Sequence, residues 1–144
     1  MDRRFPPLVL WVILMIFLFN GCVGTLATYE PKNPEETAIK VLLLKWEKTY
    51  NSGDVTGNLS TWNDKAQIMY GTTDRKLATK KEYIEILPER MKANPRVNLG
   101  SPDINFSGDK AEVKTTLSSS RGTVPATFNL IKENNLWSII SWKY

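Results

Sequence analysis

The last third of the chain constrains the fold most, because strand-like segments and turns follow one another there at regular intervals. Four segments are rich in Val, Thr, Ile and aromatic residues, at positions 97–106, 110–119, 124–133 and 136–143. Three turn signals separate them, namely Ser107-Gly108-Asp109, Ser120-Arg121-Gly122 and Glu133-Asn134-Asn135. Turns this short join antiparallel neighbours, so the pattern predicts an antiparallel meander.

Both faces of this predicted sheet carry large apolar groups in the last strand. Simple alternation puts Trp137 and Ile139 on one face and Ile140 and Trp142 on the other. A sheet with one face open to water would alternate apolar with polar residues instead. We therefore expect one face to pack against helices and the other to meet a partner subunit or to form an exposed patch.

A long amphipathic helix precedes the strands. Asn33 fits its N-cap, Pro34 its first position and Glu36 the reciprocal position of a capping box. One apolar face then recurs at every fourth residue, at Ala38, Leu42, Trp46 and Tyr50. Gly53 can adopt the left-handed conformation that ends a helix, so this helix is predicted to end there.

Shorter elements fill the space between the long helix and the meander. Asp54 can cap a short helix that runs to about Trp62, and residues 65–71 have the composition of a short strand. Thr79-Lys80-Lys81-Glu82 forms a capping box before a further helix. The apolar face of that helix is Tyr83, Leu87 and Met91. Helices followed by an antiparallel sheet predict an α+β domain.

The composition is that of an ordinary globular domain, and it excludes several functions. The 144 residues are 42% hydrophobic and 24% charged, with no histidine and one cysteine. The net charge of +4 is too small and too dispersed to predict nucleic-acid binding. Without histidine the chain lacks the commonest general base and the commonest metal ligand. We therefore expect neither a metal nor a cofactor.

The first 22 residues have the order of a secretory signal. A basic start precedes an apolar run of 12 residues from Leu8 to Phe19, whereas a membrane-spanning helix needs about 20. The only cysteine, Cys22, follows shortly after this run. Phe19-Asn20-Gly21-Cys22 resembles the lipobox of bacterial lipoproteins. The resemblance implies cleavage before Cys22, a thioether-linked diacylglycerol on its sulfur and acylation, as by palmitate, of its new amino group.

Lipidation predicts the order of segments and the location of the protein. Residues 1–21 would form the signal peptide, residues 22–33 the acylated cysteine with a tether, and residues 34–144 the folded domain. Two or three acyl chains hold a protein durably on a membrane. We therefore expect an anchored protein of the cell envelope that faces the periplasm or the exterior. An uncleaved signal anchor and simple secretion are the alternatives.

Several phrases of the sequence carry a family resemblance when they are taken in order. They are Trp46…Tyr50-Asn51-Ser52-Gly53-Asp54, Trp62-Asn63-Asp64-Lys65-Ala66, Gly108-Asp109-Lys110-Ala111-Glu112-Val113 and the closing stretch 130–140. Together they resemble the nuclear transport factor 2-like (NTF2-like) superfamily, and its bacterial SnoaL-like branch in particular. The resemblance implies a cone, in which a strongly bent sheet wraps around a long first helix and opens at one end to a pocket. It also implies dimerisation through the outer face of the sheet.

The family resemblance leaves the activity open, because its members include isomerases, dehydratases, ligand binders and interaction domains. An isomerase-like enzyme would need a carboxylate base beside a phenol in a dry pocket. The carboxylate candidates are Asp64, Asp103 and Glu89, and the phenol candidates are Tyr50 and Tyr70. The histidine–aspartate pair of the dehydratase-like relatives has no counterpart here. Turn, loop and helix-end roles explain the carboxylates more simply, so we assign no catalytic residue.

Aromatic residues are the main candidates for lining the pocket. Tyrosine and tryptophan have polar ends that prefer a partner or water, so they suit a partly wet cavity as well as a core. The candidates are Trp46, Tyr50, Trp62, Tyr70, Phe128, Trp137 and Trp142. We expect a non-catalytic, homodimeric domain that binds a small apolar ligand or an envelope protein. A cofactor-independent isomerase or lyase with an Asp–Tyr pair and a purely structural dimerisation domain are the alternatives.

Overall fold

A computed structural model describes residues 24–71 and 74–144. The predicted signal peptide over residues 1–21 and the predicted acylation site Cys22 lie outside the described residues. The helices are α1 (Pro34–Ser52), α2 (Val55–Leu59) and α3 (Lys80–Ala93). The strands are β1 (Trp62–Tyr70), β2 (Lys76–Thr79), β3 (Val97–Leu99), β4 (Asp103–Ser107), β5 (Lys110–Ser119), β6 (Gly122–Glu133) and β7 (Leu136–Lys143).

These strands form one curved, unclosed sheet with the helices packed against it. The strand order is β2-β1-β7-β6-β5-β3, and β4 also pairs with β5. Neighbours run antiparallel except β1 and β7, which run parallel. Helix α1 contacts β3 and β7, and α3 contacts β1 and β2. The structure confirms the predicted α+β class, with helices on a bent and mainly antiparallel sheet.

Helix ends lie where the capping residues predict them. The Asn33 and Asp54 side chains each accept a backbone N–H in the first turn, at 2.8 Å, and so begin α1 and α2. Gly53 ends α1 with a φ of 71°, in the left-handed region that favours glycine. Thr79 and Glu82 make both halves of the capping box at the start of α3. Each of these short-range signals acts within one turn of the chain, which is why the sequence alone reveals it.

Glu36 does not make the reciprocal bond of a capping box. Its carboxylate instead accepts the Lys32 N–H at 2.8 Å and the Tyr29 hydroxyl at 2.5 Å. The hydrogen bond from Tyr29, followed by that from Lys32, lowers the pKa of Glu36. Burial and the hydrogen bond to Glu36 raise the pKa of Tyr29 to about 12. Glu36 therefore ties the segment before α1 to the first turn of the helix.

Residues 24–33, predicted from the sequence as a tether, pack against the domain. Leu26 is 1% exposed and belongs to the hydrophobic core. Its N–H donates to the Leu99 carbonyl at 2.9 Å, and the Ser101 N–H donates to the Gly24 carbonyl at 2.8 Å. The described part of this segment is therefore not a free spacer. It borders the break between β3 and β4.

The segment 97–106 contains two strands instead of the single strand predicted. Both β3 and β4 pair with β5, but residues 100–102 leave the ladder between them. These three residues face only Thr115 and Thr116 on β5, so the chain carries one residue too many there. A Cβ atom on Gly100 would lie 2.3 Å from the Thr116 Oγ1 atom. Glycine alone allows this close approach without a shift.

The first two strands also differ from the prediction. Helix α2 ends at Leu59, and Trp62 begins β1 instead of ending the helix. Strand β2 is an edge strand of four residues that pairs with Gln67–Tyr70 of β1, and only Ala78 of it is buried. A single buried residue leaves no alternation in the sequence, so the pattern gives no sign of this strand.

A β-bulge in β7 overturns the simple alternation predicted for the last strand. Ile140 is an extra residue between two paired positions. The strand therefore switches faces once, and Trp137, Ile139 and Trp142 are all buried on the inner face. Ile140 is left on the outer face among mainly polar neighbours, which include Glu112, Asn129, Ser138 and Ser141. The aromatic residues of β7 thus all point toward the helices.

Candidate functional site

A cleft opens at the end of the molecule where β5 ends, β6 begins and β7 ends. Its volume is about 460 Å³, within the range of roughly 300–1,000 Å³ that small-ligand sites have. Helices α1 and α3 supply one side, and the sheet supplies the other. The lining residues that matter below are Trp46, Tyr50, Ile86, Arg90, Trp142 and Tyr144. The cleft is therefore large enough for a small organic molecule.

Aromatic rings in contact with one another form the back wall of the cleft. The Trp142 ring centroid lies 5.4 Å from that of Trp46 and 4.7 Å from that of Tyr144. Trp46 in turn stacks on Tyr50 at 5.5 Å, with an interplanar angle of 25°. The Trp142 Nε1 atom donates to the Met69 carbonyl at 2.8 Å. The only polar group of this indole is therefore hydrogen-bonded outside the cleft, so the part of the ring that faces the cleft is apolar.

Arg90 lies on the α3 side of the cleft and is one of the two arginines that line it, with Arg121. The Nη2 atom donates to the Tyr144 hydroxyl at 3.0 Å, and the guanidinium carbon lies 5.7 Å from the centre of the Tyr144 ring. The Tyr144 hydroxyl donates in turn to the Gly71 carbonyl at 3.1 Å. The Tyr50 hydroxyl donates to the Arg90 carbonyl at 3.0 Å. The bond to Tyr144 orients the guanidinium, whereas the bond from Tyr50 holds the backbone of Arg90.

The guanidinium of Arg90 is incompletely paired within residues 24–71 and 74–144. Its Nε atom is buried and has no hydrogen-bond partner there. None of the ion pairs of this part of the chain includes Arg90. Burial raises the pKa of Tyr50 and, more strongly, that of Tyr83, so both phenols are neutral near pH 7. The cation therefore has no anionic partner among the described side chains.

The carboxylates considered for catalysis lie at the surface and are engaged with cations or solvent. Asp64 is exposed and accepts from the Lys80 Nζ atom at 2.8 Å, which lowers the pKa of Asp64. Glu89 lies at the rim of the cleft and pairs with Lys92 at 2.8 Å. Asp103 is exposed on β4. None of the three is hydrogen-bonded to a tyrosine in the described residues, and the Tyr50 hydroxyl donates to a backbone carbonyl instead.

Six of the seven aromatic candidates fall into three groups. Trp46, Tyr50 and Trp142 line the cleft. Trp62 and Phe128 are 2% and 0% exposed and lie in the core behind them, each within 6.2 Å of the Trp142 ring. Tyr70 is half-buried and packs at the edge of the core. The cleft therefore takes its aromatic wall from α1 and the end of the chain.

Trp137 lies away from this cleft, near the N-terminus of α1. Its Nε1 atom donates to a Glu35 oxygen at 2.7 Å, and its ring centroid lies 6.0 Å from that of Phe106. The Lys132 Nζ atom donates to the other Glu35 oxygen at 2.7 Å. The hydrogen bond from Lys132, followed by that from Trp137, lowers the pKa of Glu35. This group joins the first turn of α1 to β6 and β7.

Sequence reasoning missed Arg90 and Tyr144 as lining residues. It also gave Arg121 only as part of a turn, whereas this exposed residue lines the cleft. A signal for Arg90 does exist, because Ile86, Arg90 and Ala93 share the helical spacing of four and three residues beside the apolar face of α3. An arginine between apolar residues on one side of a helix indicates a cation placed in an otherwise apolar surface.

Sequence comparison finds no match for this chain among protein-family models or among curated proteins. Solved structures do match it. An NTF2-like protein of unknown function from Shewanella baltica OS155 gives a TM-score of 0.63 at 20% identity, over 78% of this chain and 94% of its own. The chain has the NTF2-like fold. Its cleft lies inside the curved sheet beside the long first helix.

Two further solved structures share the NTF2-like fold of this chain. A protein of unknown function with a cystatin-like fold from Nostoc punctiforme PCC 73102 has a TM-score of 0.64 and 17% identity, over 78% of this chain and 91% of its own. A candidate scytalone dehydratase from Novosphingobium aromaticivorans DSM 12444 has a TM-score of 0.59 and 11% identity, over 75% and 80%. Identities this low support a likeness of fold alone.

Residues 24–71 and 74–144 contain neither a cluster of metal ligands nor a helix suited to cross a membrane. No three His, Cys, Asp or Glu side chains come together there as a metal site would require. No helix in this part of the chain combines the length and the hydropathy that crossing a bilayer demands.

Proposed function

We propose that this NTF2-like domain binds a small, largely apolar molecule in the cleft between α1, α3 and the sheet. The observation that supports it best is the aromatic wall of Trp46, Trp142 and Tyr144, in which the Trp142 Nε1 atom and the Tyr144 hydroxyl donate to backbone carbonyls. Trp46 and Trp142 are 2% and 3% exposed, so a ligand would reach mainly Tyr144 with Ile86 and Val124 beside it. In a cleft of about 460 Å³, this surface favours apolar ligands through the area that it removes from water.

The first test closes the cleft from its rim. Ala93 lines the cleft at the end of α3 and is exposed, so Ala93→Trp should fill the opening without disturbing the core. We expect the neutral probe N-phenyl-1-naphthylamine to bind the wild-type protein with a rise in fluorescence. In Ala93→Trp its affinity should fall about tenfold or more, because much of its apolar contact is lost.

Ile84→Trp is the matched control for this experiment. Ile84 is 46% exposed and lies on the same helix as Ala93. Positions nine residues apart are on opposite sides of a helix, at about 100° per residue. The control therefore adds an indole of the same size on the face turned away from the cleft, and it should leave probe binding unchanged. Equal binding by the wild-type protein and Ala93→Trp would contradict the proposed site.

We also propose that the chain is a bacterial lipoprotein of the SnoaL-like branch, anchored through Cys22 in the cell envelope. The lipobox-like sequence before Cys22 supports this proposal. Because Gly24 is already hydrogen-bonded to Ser101, only two residue steps, about 7 Å of extended chain, separate Cys22 from the packed domain. The domain would then lie directly against the bilayer, and the cleft would be close to lipid. Self-association through the outer face of the sheet stays a prediction.

Lipidation is tested by mass spectrometry of protein extracted from membranes. We expect a chain that begins at Cys22 and carries diacylglycerol and an N-acyl group. In Cys22→Ser the acceptor sulfur is absent, so the protein should keep its leader and lose the lipid mass. A wild-type chain that retains Met1, or that begins at an unmodified Cys22, would contradict the anchor. Such a result would leave the ligand proposal to be judged by its own experiment.

A further inference from the structure

Arg90 is an unusual component of an otherwise apolar wall. A charged side chain that is partly withdrawn from water is costly unless it is paired and hydrogen-bonded. The guanidinium has five N–H donors. Its Nη2 atom donates to the Tyr144 hydroxyl, and it lies close enough to the Tyr83 hydroxyl for a hydrogen bond with that phenol. The buried Nε atom has none. Packing alone gives no reason to keep such a group where leucine or methionine would fill the same space.

The neighbours of Arg90 do not neutralise it. Glu89, its neighbour in sequence, points its carboxylate to Lys92 at 2.8 Å. Glu85 lies at the exposed rim of the cleft and makes no ion pair with Arg90. Burial raises the pKa of the Tyr50 and Tyr83 phenols, so neither of them supplies a negative charge. The positive charge therefore faces a cleft whose other inner walls are aromatic or aliphatic.

We infer that the cleft takes a small organic carboxylate whose acid group pairs with Arg90 and whose apolar body lies against Trp142 and Tyr144. This inference rests on the proposed function, because it names the ligand class of the same cleft. Arginine suits this role because its planar fork can donate two parallel hydrogen bonds to a carboxylate. The ligand supplies the counter-charge that the protein lacks, and the aromatic wall holds the remainder of the molecule.

Arg90, more than the charges at the rim, sets the orientation of such a ligand. Glu85 and Glu89 are exposed at the mouth, where they disfavour an acid group that stays outside, and Arg121 is a second, exposed cation of the lining. Exposed charges are screened by solvent and salt, so these three side chains act weakly. Arg90 is half-buried and its guanidinium is bonded to Tyr144, so its charge is screened less by solvent. The acid group therefore enters first, toward Arg90.

The experiment compares probes that differ only in their polar group. Decanoate and 1-decanol form an aliphatic pair, and 1-naphthylacetate and 2-(1-naphthyl)ethanol form an aromatic pair. Isothermal titration calorimetry of the folded, wild-type domain at pH 7 should show that at least one acid binds about 10- to 100-fold more tightly than its alcohol, the difference expected for hydrogen bonds to a charged group. The better acid distinguishes a fatty-acid source from an aromatic one.

The decisive variant is Arg90→Met, which keeps an unbranched apolar side chain and removes the charge. We expect it to lose the preference for acid over alcohol while it still binds the alcohol, which shows that the cleft is intact. Arg121→Gln is the matched control, since it removes an arginine from the exposed rim. It should change acid binding about threefold or less. Loss of the preference in Arg121→Gln but not in Arg90→Met would overturn the inference.

The outcomes separate this inference from the proposed function. If wild-type protein binds neither acid nor alcohol, the proposed function itself is wrong. If it binds acid and alcohol equally, the cleft is an apolar site and the role of Arg90 is rejected. If Arg90→Met keeps the preference for the acid, another group binds the carboxylate and the inference is again rejected.

Discussion

Trp46→Ala is expected to lower the free energy of unfolding by about 3–5 kcal/mol, the usual cost of truncating a buried tryptophan. Trp46 is 2% exposed in the middle of α1. Its ring centroid lies within 5.5 Å of those of Tyr50, Phe128 and Trp142. Small domains are stable by only about 5–15 kcal/mol, so this single change should remove a large part of the stability.

The size of this effect follows from where Trp46 sits. It joins the long helix to two strands, through Phe128 of β6 and Trp142 of β7, and it also forms part of the cleft wall. Aromatic pairs of this geometry add roughly 0.5–1.5 kcal/mol each beyond the area that they bury. Removal of the ring therefore leaves a cavity and breaks three such pairs at once. The neighbouring side chains lie partly on the sheet and partly on the helix. They cannot fill the cavity unless the helix moves.

Urea denaturation followed by far-ultraviolet circular dichroism measures the change. Val41→Ala is the matched control on the same helix, because Val41 is 61% exposed and alanine suits a helix slightly better than valine. The control should change the free energy of unfolding by about 0.5 kcal/mol or less. A loss below about 1 kcal/mol in Trp46→Ala would show that the aromatic cluster is not the centre of the core.

The features that could be predicted from the sequence are those decided within a few residues. Asn33, Asp54 and Thr79 each bond a backbone N–H about three residues ahead, so the helix starts follow from local chemistry alone. Strands β5 and β7 have the predicted bounds because glycine and asparagine turns delimit them. Asn134 and Asn135 do adopt positive φ, at 51° and 62°. Together with the order of the elements, these signals predicted the α+β class, whereas the NTF2-like cone was implied by the family resemblance.

The features that could not be predicted depend on contacts between distant parts of the chain. The bulge at Ile140 is set by pairing between β6 and β7, and it decides whether Trp142 faces the helices or the solvent. The role of Arg90 depends on Tyr144, which is 54 residues away. Neither contact leaves a local pattern. The sequence therefore identifies the aromatic candidates by residue type alone. Only the structure shows which of them lie in the cleft, in the core or at the far end of the sheet.

The packing of residues 24–33 against the domain also depends on contacts between distant parts of the chain. The second prediction with a large expected effect concerns this segment. Leu26→Ala should lower the free energy of unfolding by about 2–5 kcal/mol, as for other fully buried leucines. Leu26 is 1% exposed, and its N–H is bonded to the Leu99 carbonyl. The Lys40 Nζ atom donates to the Ala27 and Tyr29 carbonyls at 3.0 and 2.6 Å. The segment is thus hydrogen-bonded to the domain around Leu26. Loss of the Leu26 side chain should therefore lower the stability of the whole domain.

The same variant distinguishes a packed segment from a free tether. A tether makes no contact with the domain, so on that view Leu26→Ala would change stability by no more than about 0.5 kcal/mol. Glu30→Ala is the control, since Glu30 is exposed in the same segment and should have only such a small effect. Urea denaturation of the domain that begins at residue 23 gives both values. If Leu26→Ala unfolds at the same urea concentration as Glu30→Ala, the segment is a spacer. If it unfolds much earlier, the segment is packed, and the lipid anchor proposed at Cys22 would then hold the cleft close to the bilayer.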